Sequence, residues 1–376
     1  MRKVNYGQIA NVLNGHYVLK KPLIIYGAFG IGKSGLIETA SEKLAIKENR
    51  EFINFFKQNA DGQEKVVSSP EKYYSLVDVR MSERDVSDIK GLMSLGNEEE
   101  FIKYKTEKWL DYLTKEGSSG ILFFDEFNLA SPMVLSNIYK IVYDRIVNDT
   151  LLSKNWLIVM AGNRDGVDGA YTFSVPKPLR DRASEVELVA DFEGWRDWAI
   201  DNNLHHSVIT YLSNSQTHFY MVDDKDGQKF STPRGWHRVS DFQISKLGEE
   251  DKEECIKSTI GEGVAIQYLK YCELQSKMDL EKVLKNPKEI KKIEDVSIKY
   301  LLVGICADRY KNTDKVVDFN KIMDISNALD ESQNAEFVSL LWKLCLNYTK
   351  ETKKFRNDFM KIKDLKLLEK YKGYIL

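Results

Sequence analysis

Gly27-Ala-Phe-Gly-Ile-Gly-Lys-Ser34 decides how the rest of this 376-residue chain is read. The run has the spacing G-x-x-x-x-G-K-[ST], the pattern of a phosphate-binding loop. A polyphosphate carries several negative charges, and side chains alone would crowd it. Gly27, Gly30 and Gly32 let the backbone wrap closely with its N–H groups turned inward. A helix starting at Lys33 adds the positive end of its dipole. Lys33 is then expected to reach the β- and γ-phosphates, and Ser34 to ligate Mg²⁺. Ala28, Phe29, Ile31 and Gly35 complete the expected nucleotide-binding stretch. The flanks agree with this reading. Leu23-Ile-Ile-Tyr26 reads as a buried strand, and an apolar helical pattern follows from Lys33 to about Gln58.

A second chemical signature lies about 90 residues on. Ile121-Leu-Phe-Phe-Asp-Glu-Phe127 ends a buried strand with two carboxylates. Ligands of open α/β sheets bind beyond the carboxyl ends of the strands. Asp125 is therefore expected to face the Mg²⁺ held by Ser34, and Glu126 to orient or deprotonate a water. A second carboxylate suits water as nucleophile better than a metabolite hydroxyl, so hydrolysis is favoured over transfer. No N-K-x-D run follows the fourth strand, which argues against guanine specificity.

Around these motifs the chain divides in two. Fourteen of the 22 Gly and five of the seven Pro precede residue 190. That half holds five short apolar runs, at 23–26, 74–79, 121–125, 156–161 and 184–189. The first, third and fourth are almost wholly apolar, as in parallel strands covered on both faces. The last alternates, which predicts an edge strand. A helix is expected at Met133–Val147. The fold expected is α/β, a doubly wound parallel five-stranded sheet over residues 21–190 behind a short segment 1–20. Residues 191–280 read as a helical lid and 281–376 as a helical extension, with a linker at the Lys-rich, Pro-containing run Glu281–Asp295.

Composition sets limits. The net charge is −2, so nothing draws the whole chain to nucleic acid or an anionic membrane. Hydrophobic residues are 43% of the chain, enough for a core. No apolar run approaches the ~20 residues of a membrane helix, and residues 1–21 lack a signal-peptide core. Cys255, Cys272, Cys306 and Cys345 form no C-x-x-C and read as reduced, buried thiols, which places the chain in the cytoplasm. The five histidines show no metal-ligand spacing, and adjacent His205 and His206 are expected to point different ways on a helix.

Taken with three further stretches, these motifs make residues 20–242 resemble an AAA+ ATPase of the MoxR-like branch, near the dynein-related group. Met160-Ala-Gly-Asn163 ends the fourth strand where that family places sensor 1, so the resemblance puts Asn163 against the γ-phosphate or the lytic water. Pro178-Leu-Arg-Asp-Arg182 resembles the segment whose arginine reaches into a neighbouring subunit's site; Arg182 matches the family position and Arg180 is the alternative. Ala183 stands where the family often has Phe. Thr232-Pro-Arg-Gly-Trp-His-Arg238 resembles the sensor 2 stretch, which assigns Arg234 to the nucleotide. The resemblance implies ATP and Mg²⁺ as cofactors and a homo-oligomer, usually a hexameric ring. It also implies a protein client that is remodelled or activated, in several members one with a von Willebrand A domain.

Two stretches bear on specificity. Gly91–Thr106 has a Gly-Asn turn between apolar ends and predicts a hairpin, either touching the client or a plain surface loop. Residues 350–372 hold nine Lys or Arg against four acids, interleaved with Phe355, Phe359, Ile362, Leu365 and Leu368. This is the pattern of an amphipathic helix with a solvated basic face. Two rival functions stand beside the remodelling ATPase. A DNA-linked motor or loader is opposed by the balanced charge, and a nucleotide-gated scaffold has no need of Glu126, Asn163 and Arg182 together.

Overall fold

The structure, a computed structural model, describes residues 1–94, 103–165, 172–222, 231–277, 280–312, 317–331, 335–361 and 369. The chain forms two compact units, Met1–Asp191 and Phe192–Leu376.

The first unit is built on one all-parallel sheet. Its strands are β1 (Arg2–Val4), β2 (Leu23–Tyr26), β3 (Glu51–Asn54), β4 (Tyr73–Arg80), β5 (Gly120–Asp125), β6 (Trp156–Gly162) and β7 (Ser184–Leu188). Their order across the sheet is β1-β7-β2-β6-β5-β4-β3. Every residue of β2, β5 and β6 is buried, because helices cover both faces of the sheet centre. The apolar runs of these strands are the direct result.

The sheet has seven strands where five were expected, and the two additional ones lie at its edges. Arg2-Lys3-Val4 is too polar and short to announce itself; it pairs through its backbone from Arg2↔Val186 to Val4↔Leu188. Segment 1–20 therefore carries β1 and the helix Tyr6–Leu19. β3 lies in what reads as the continuation of the phosphate-loop helix. That helix ends at Glu48, where Asn49 adopts φ 54°, a left-handed cap that asparagine tolerates. The Arg50 N–H closes on the Ala45 carbonyl at 3.0 Å, and the chain then runs straight into β3.

β7 is not the edge strand its alternation suggests, since β1 covers its outer side. The alternating carboxylates are instead paired: Glu185 accepts from Arg180 at 2.7 Å and Glu187 from Arg164 at 2.9 Å. A polar position in this strand marks an ion pair, not an open edge. The helix expected at Met133–Val147 occupies Pro132–Tyr143, and Ile146–Val147 turns back on Thr150–Leu151 as a short hairpin.

Leu92–Ser94 pairs antiparallel with Lys103–Lys105. The base of the hairpin expected at 91–106 is thus present, while its Gly96-Asn97 turn lies outside the described residues. Gly91 sits at φ 83°, and a Cβ there would come within 2.5 Å of the Lys105 carbonyl oxygen, so no other residue fits.

Among the described residues, the regular elements of the second unit are all helices. The stretch 281–295 is structured: it carries the helix Leu280–Lys285 and a 3₁₀ segment Pro287–Lys292, with Leu284 and Ile290 buried. Lysines face solvent while a sparse apolar stripe packs inward, so composition resembles a linker where the geometry is amphipathic. His205 is the N-cap of helix His206–Asn214, and its ring lies 4.4 Å from that of His206, centroid to centroid. The cap lies outside the helical repeat, which is why the two rings meet. Of the basic stretch 350–372, residues 350–361 and 369 are described; Phe355 is buried in the helix Lys354–Phe359. Cys306 and Cys345 are buried, Cys255 and Cys272 half-buried, and all four are free thiols. Among the described residues no helix is long and apolar enough to cross a membrane.

Candidate active site

β2 ends at Tyr26, and the loop Gly27–Gly32 leads directly into the 16-residue helix Lys33–Glu48. Gly30 and Gly32 have φ of 73° and 89°, which glycine adopts without strain. Gly27 is required for a different reason. A Cβ there would lie 2.8 Å from both the Leu188 carbonyl oxygen and Ile31 Cδ1. Ala28 and Ile31 are buried and Phe29 half-buried, so the loop is held by its own apolar side chains. From the N-terminal helix, the Tyr6 hydroxyl donates to the Ile31 carbonyl. Burial, with the charge of Asp191 second, raises the Tyr6 phenol pKa well above its ordinary value. Tyr6 therefore serves as a neutral donor.

Lys33 lies along this loop. Its Nζ donates to the carbonyls of Gly27 at 2.6 Å and Ala28 at 3.0 Å, and to Asn163 Oδ1 at 3.2 Å. The cation and the amide at the end of β6 thus meet, 130 residues apart in the chain. The strand order explains the meeting: β6 lies between β2 and β5, so its carboxyl end projects between the phosphate loop and the acidic pair.

Ser34 Oγ donates to Asp125 Oδ2 at 2.6 Å. Asp125 is 9% exposed, and its other oxygen accepts the Glu126 N–H at 2.9 Å. Glu126 has φ 53°, left-handed for a residue with a full side chain. Such a conformation costs about 1 kcal/mol or more and persists where the surroundings enforce it. The Glu126 carboxylate Oε2 accepts from Ser82 Oγ at 2.6 Å. Asp78, on the neighbouring β4, adds a third carboxyl. Burial, reinforced by the negative charge of Asp125, pushes its pKa up to about 6, and its Oδ1 is buried without a hydrogen-bond partner.

Asn163 is fixed by a residue the motifs do not flag. The Asn128 Nδ2 donates to the Asn163 carbonyl at 2.7 Å, and the Asn163 N–H donates to Asn128 Oδ1 at 3.2 Å. Asn128, Ser82, Asp78 and Tyr6 are the four site residues that sequence reasoning passed over. Asn128 had one available signal, its position two residues after Glu126. Ser82, Asp78 and Tyr6 had none, since each arrives from another element.

The expected site residues thus fall into three groups. Lys33, Ser34, Asp125, Glu126 and Asn163 converge with the loop Gly27–Gly32 at the carboxyl ends of β2, β5 and β6. Gly35 continues the helix with open space where a Cβ would stand. Arg180 and Arg182 lie on the short helix Lys177–Arg182. Arg180 is held by Glu185 through two hydrogen bonds, of 2.7 and 2.8 Å. The Arg182 guanidinium lies 4.3 Å from the Tyr143 ring centroid and is exposed. Arg234 belongs to the second unit, exposed in the first turn of the helix Pro233–Ile244, whose N-cap Thr232 accepts the Gly235 N–H at 3.2 Å.

Chemically, a Gly-rich loop at a helix N-terminus with a lysine binds phosphates. A hydroxyl and a carboxylate 2.6 Å apart are hard oxygen donors of the kind Mg²⁺ takes. A carboxylate one residue on, held here by Ser82, can accept a proton from water.

No family profile and no curated protein matches this sequence. Several solved structures are similar to it. A Cytophaga hutchinsonii protein described as an ATPase is 12% identical, with a TM-score of 0.32 over 67% of this chain and 80% of that one. PCH-2 of C. elegans is 12% identical, with a TM-score of 0.29 over 66% of this chain and 60% of that one. A DNA replication initiation factor is 14% identical, with a TM-score of 0.27 over 91% of this chain and 92% of that one.

Proposed function

We propose that this chain is a Mg²⁺-dependent ATP hydrolase of the AAA+ class and the MoxR-like branch. In this reading it works as a ring of like subunits and remodels or activates a protein partner. The observation that carries the hydrolase reading is the 2.6 Å hydrogen bond between Ser34 Oγ and Asp125 Oδ2. It joins the first turn of a phosphate-loop helix to the end of a buried acidic strand, and both atoms suit Mg²⁺. When bound, Mg²⁺ neutralises charge on the β- and γ-oxygens.

The chain's own residues do the rest. Loop N–H groups and Lys33 bind the phosphates, with Lys33 leaving the Gly27 and Ala28 carbonyls to do so. Asn163 donates through its Nδ2 to a γ-oxygen or to the water, while its Oδ1 stays near Lys33. Glu126 orients the water and accepts its proton. Ser82 holds the Glu126 carboxylate aside until nucleotide draws it in.

Arg182 is the residue we assign to the neighbouring subunit's site. Arg180 is committed to Glu185 by a bidentate pair, the stronger of the two restraints. Arg182 rests on an aromatic ring at an exposed position, an interaction of about 0.5–1 kcal/mol that a phosphate readily displaces. A donated arginine makes each site bipartite and requires a head-to-tail contact that closes into a ring. The client role and the assignment of Arg234 to the nucleotide rest on the likeness of the motifs to MoxR-like proteins.

Phosphate release from Mg-ATP, measured for the wild type and Glu126→Gln across a range of protein concentrations, tests the proposal. Turnover that needs Mg²⁺, rises with assembly and is lost in E126Q supports it. Equal turnover by the two proteins rejects Glu126 as the base.

A further inference from the structure

We infer that Asn128 is a positioning residue for hydrolysis: its carboxamide sets the place of Asn163 and ties it to the turn that carries Glu126. The inference rests on the hydrolase reading above. β6 pairs with β5 as far as Met160↔Phe124, so Asn163 lies beyond that ladder. The Asn128 side chain takes over there and offers a donor and an acceptor to the Asn163 backbone, at 2.7 and 3.2 Å, as a neighbouring strand would. At 2% exposed it is shielded from water, so this pairing is not exchanged for solvent. The fit leaves no slack. A Cβ at Gly162 would stand 2.4 Å from Asn128 Oδ1, which explains the glycine before Asn163.

Position in the chain gives the clamp its reach. Asn128 sits in the single 3₁₀ turn Phe127–Leu129 that starts from Glu126. Its backbone carbonyl accepts the Phe173 N–H at 2.8 Å, on the approach to the helix bearing Arg180 and Arg182. One residue thus joins the carboxylate that handles water, the amide next to Lys33, and the segment leading to the arginines. A shift of the Glu126 turn is passed to Asn163 through two hydrogen bonds.

The test compares wild type, Asn128→Ala, Asn128→Asp, Asn163→Ala and the double variant N128A/N163A, reading kcat, KM for ATP and affinity for a fluorescent ATP analogue. N128D keeps the shape of the side chain but removes the donor to the Asn163 carbonyl, so it separates hydrogen bonding from packing and carries the test if N128A does not fold. We expect kcat to fall by about 10- to 100-fold in N128A and N128D, with KM and analogue affinity within about threefold of wild type. The double variant should be no slower than the slower single one. An N128D enzyme as fast as wild type overturns the inference, as do single losses that multiply in the double variant or a kcat loss matched by lost affinity. A wild type without turnover overturns the hydrolase reading and this inference with it; an active wild type with an unaffected N128D overturns this inference alone.

Discussion

Ser34 Oγ and Asp125 Oδ2, 91 residues apart in the chain, lie 2.6 Å from each other. The bond ties the start of the phosphate-loop helix to the carboxyl end of β5. Removing the donor in Ser34→Ala leaves a largely buried carboxylate oxygen without its partner. This should cost about 1–3 kcal/mol of stability, read by chemical denaturation. The same change should raise the Mg²⁺ concentration needed for half-maximal turnover by about 10- to 100-fold. Asp125→Asn should do so at least as strongly, measured by titrating Mg²⁺ at saturating ATP.

Ser82 and Glu126 form a second such pair, again at 2.6 Å. Glu126→Gln should retain the nucleotide and lose turnover by about 10²- to 10⁴-fold. Ser82→Ala should act in the opposite sense. With no hydroxyl drawing it aside, the carboxylate is freer to face water, and basal turnover should rise by a few fold. A fall in S82A turnover would show that the serine supports the catalytic pose instead of withholding it.

The two arginines should separate in a mixing experiment. Arg182→Ala and Glu126→Gln are each expected to be nearly inactive alone. Mixed, they should recover part of the turnover, because some interfaces then pair an intact Glu126 with an intact Arg182. Arg180→Ala should show no such complementation. Its main effect should be on stability through the loss of the Glu185 pair, which is about half exposed on the arginine side and so worth at most about 1 kcal/mol.

His205 and His206 predict how the second unit responds to acid. Burial lowers both pKa values, to about 3 for His205, where the neighbouring His206 adds to the effect, and to about 4 for His206. In the unfolded chain each titrates near 6.5. Between pH 6.5 and about 4 the unfolded chain therefore binds protons that the folded chain refuses. Stability is fully present above pH 6.5 and falls as the pH drops, by about 1.4 kcal/mol per pH unit for each histidine. Urea midpoints of the full chain at pH 7.5, 6 and 5 should follow this slope, and His206→Phe should flatten it. Equal slopes for the two proteins would exclude His206 as a source.

Local chemistry was enough to place the Gly-rich turn between a buried strand and a helix, the acidic pair at a strand end and the buried centre of the sheet. Three glycines, a lysine and an apolar run are short-range features, and they imply the same local conformation in most contexts. What that chemistry left open depended on partners. β1 and β3 were illegible because a peripheral strand is held by backbone pairing, for which Arg2-Lys3-Val4 needs no apolar pattern. The carboxylates of β7 suggested an open edge until Arg164 and Arg180 appeared against them. Lys-rich 281–295 looked like a linker because its few apolar residues are sparse, and only packing shows that they are buried.

The sequence by itself set out the Gly27–Ser34 loop and the Asp125-Glu126 pair, the residues our proposal gives to a polyphosphate and a water. The tertiary structure alone decided which of them meet: β6 enters between β2 and β5, so Asn163 reaches Lys33 and Asn128 reaches Asn163. The physical reason is range. A glycine's φ or an apolar run is set by its own few neighbours, whereas a hydrogen bond across 130 residues exists only after the strands have chosen their order.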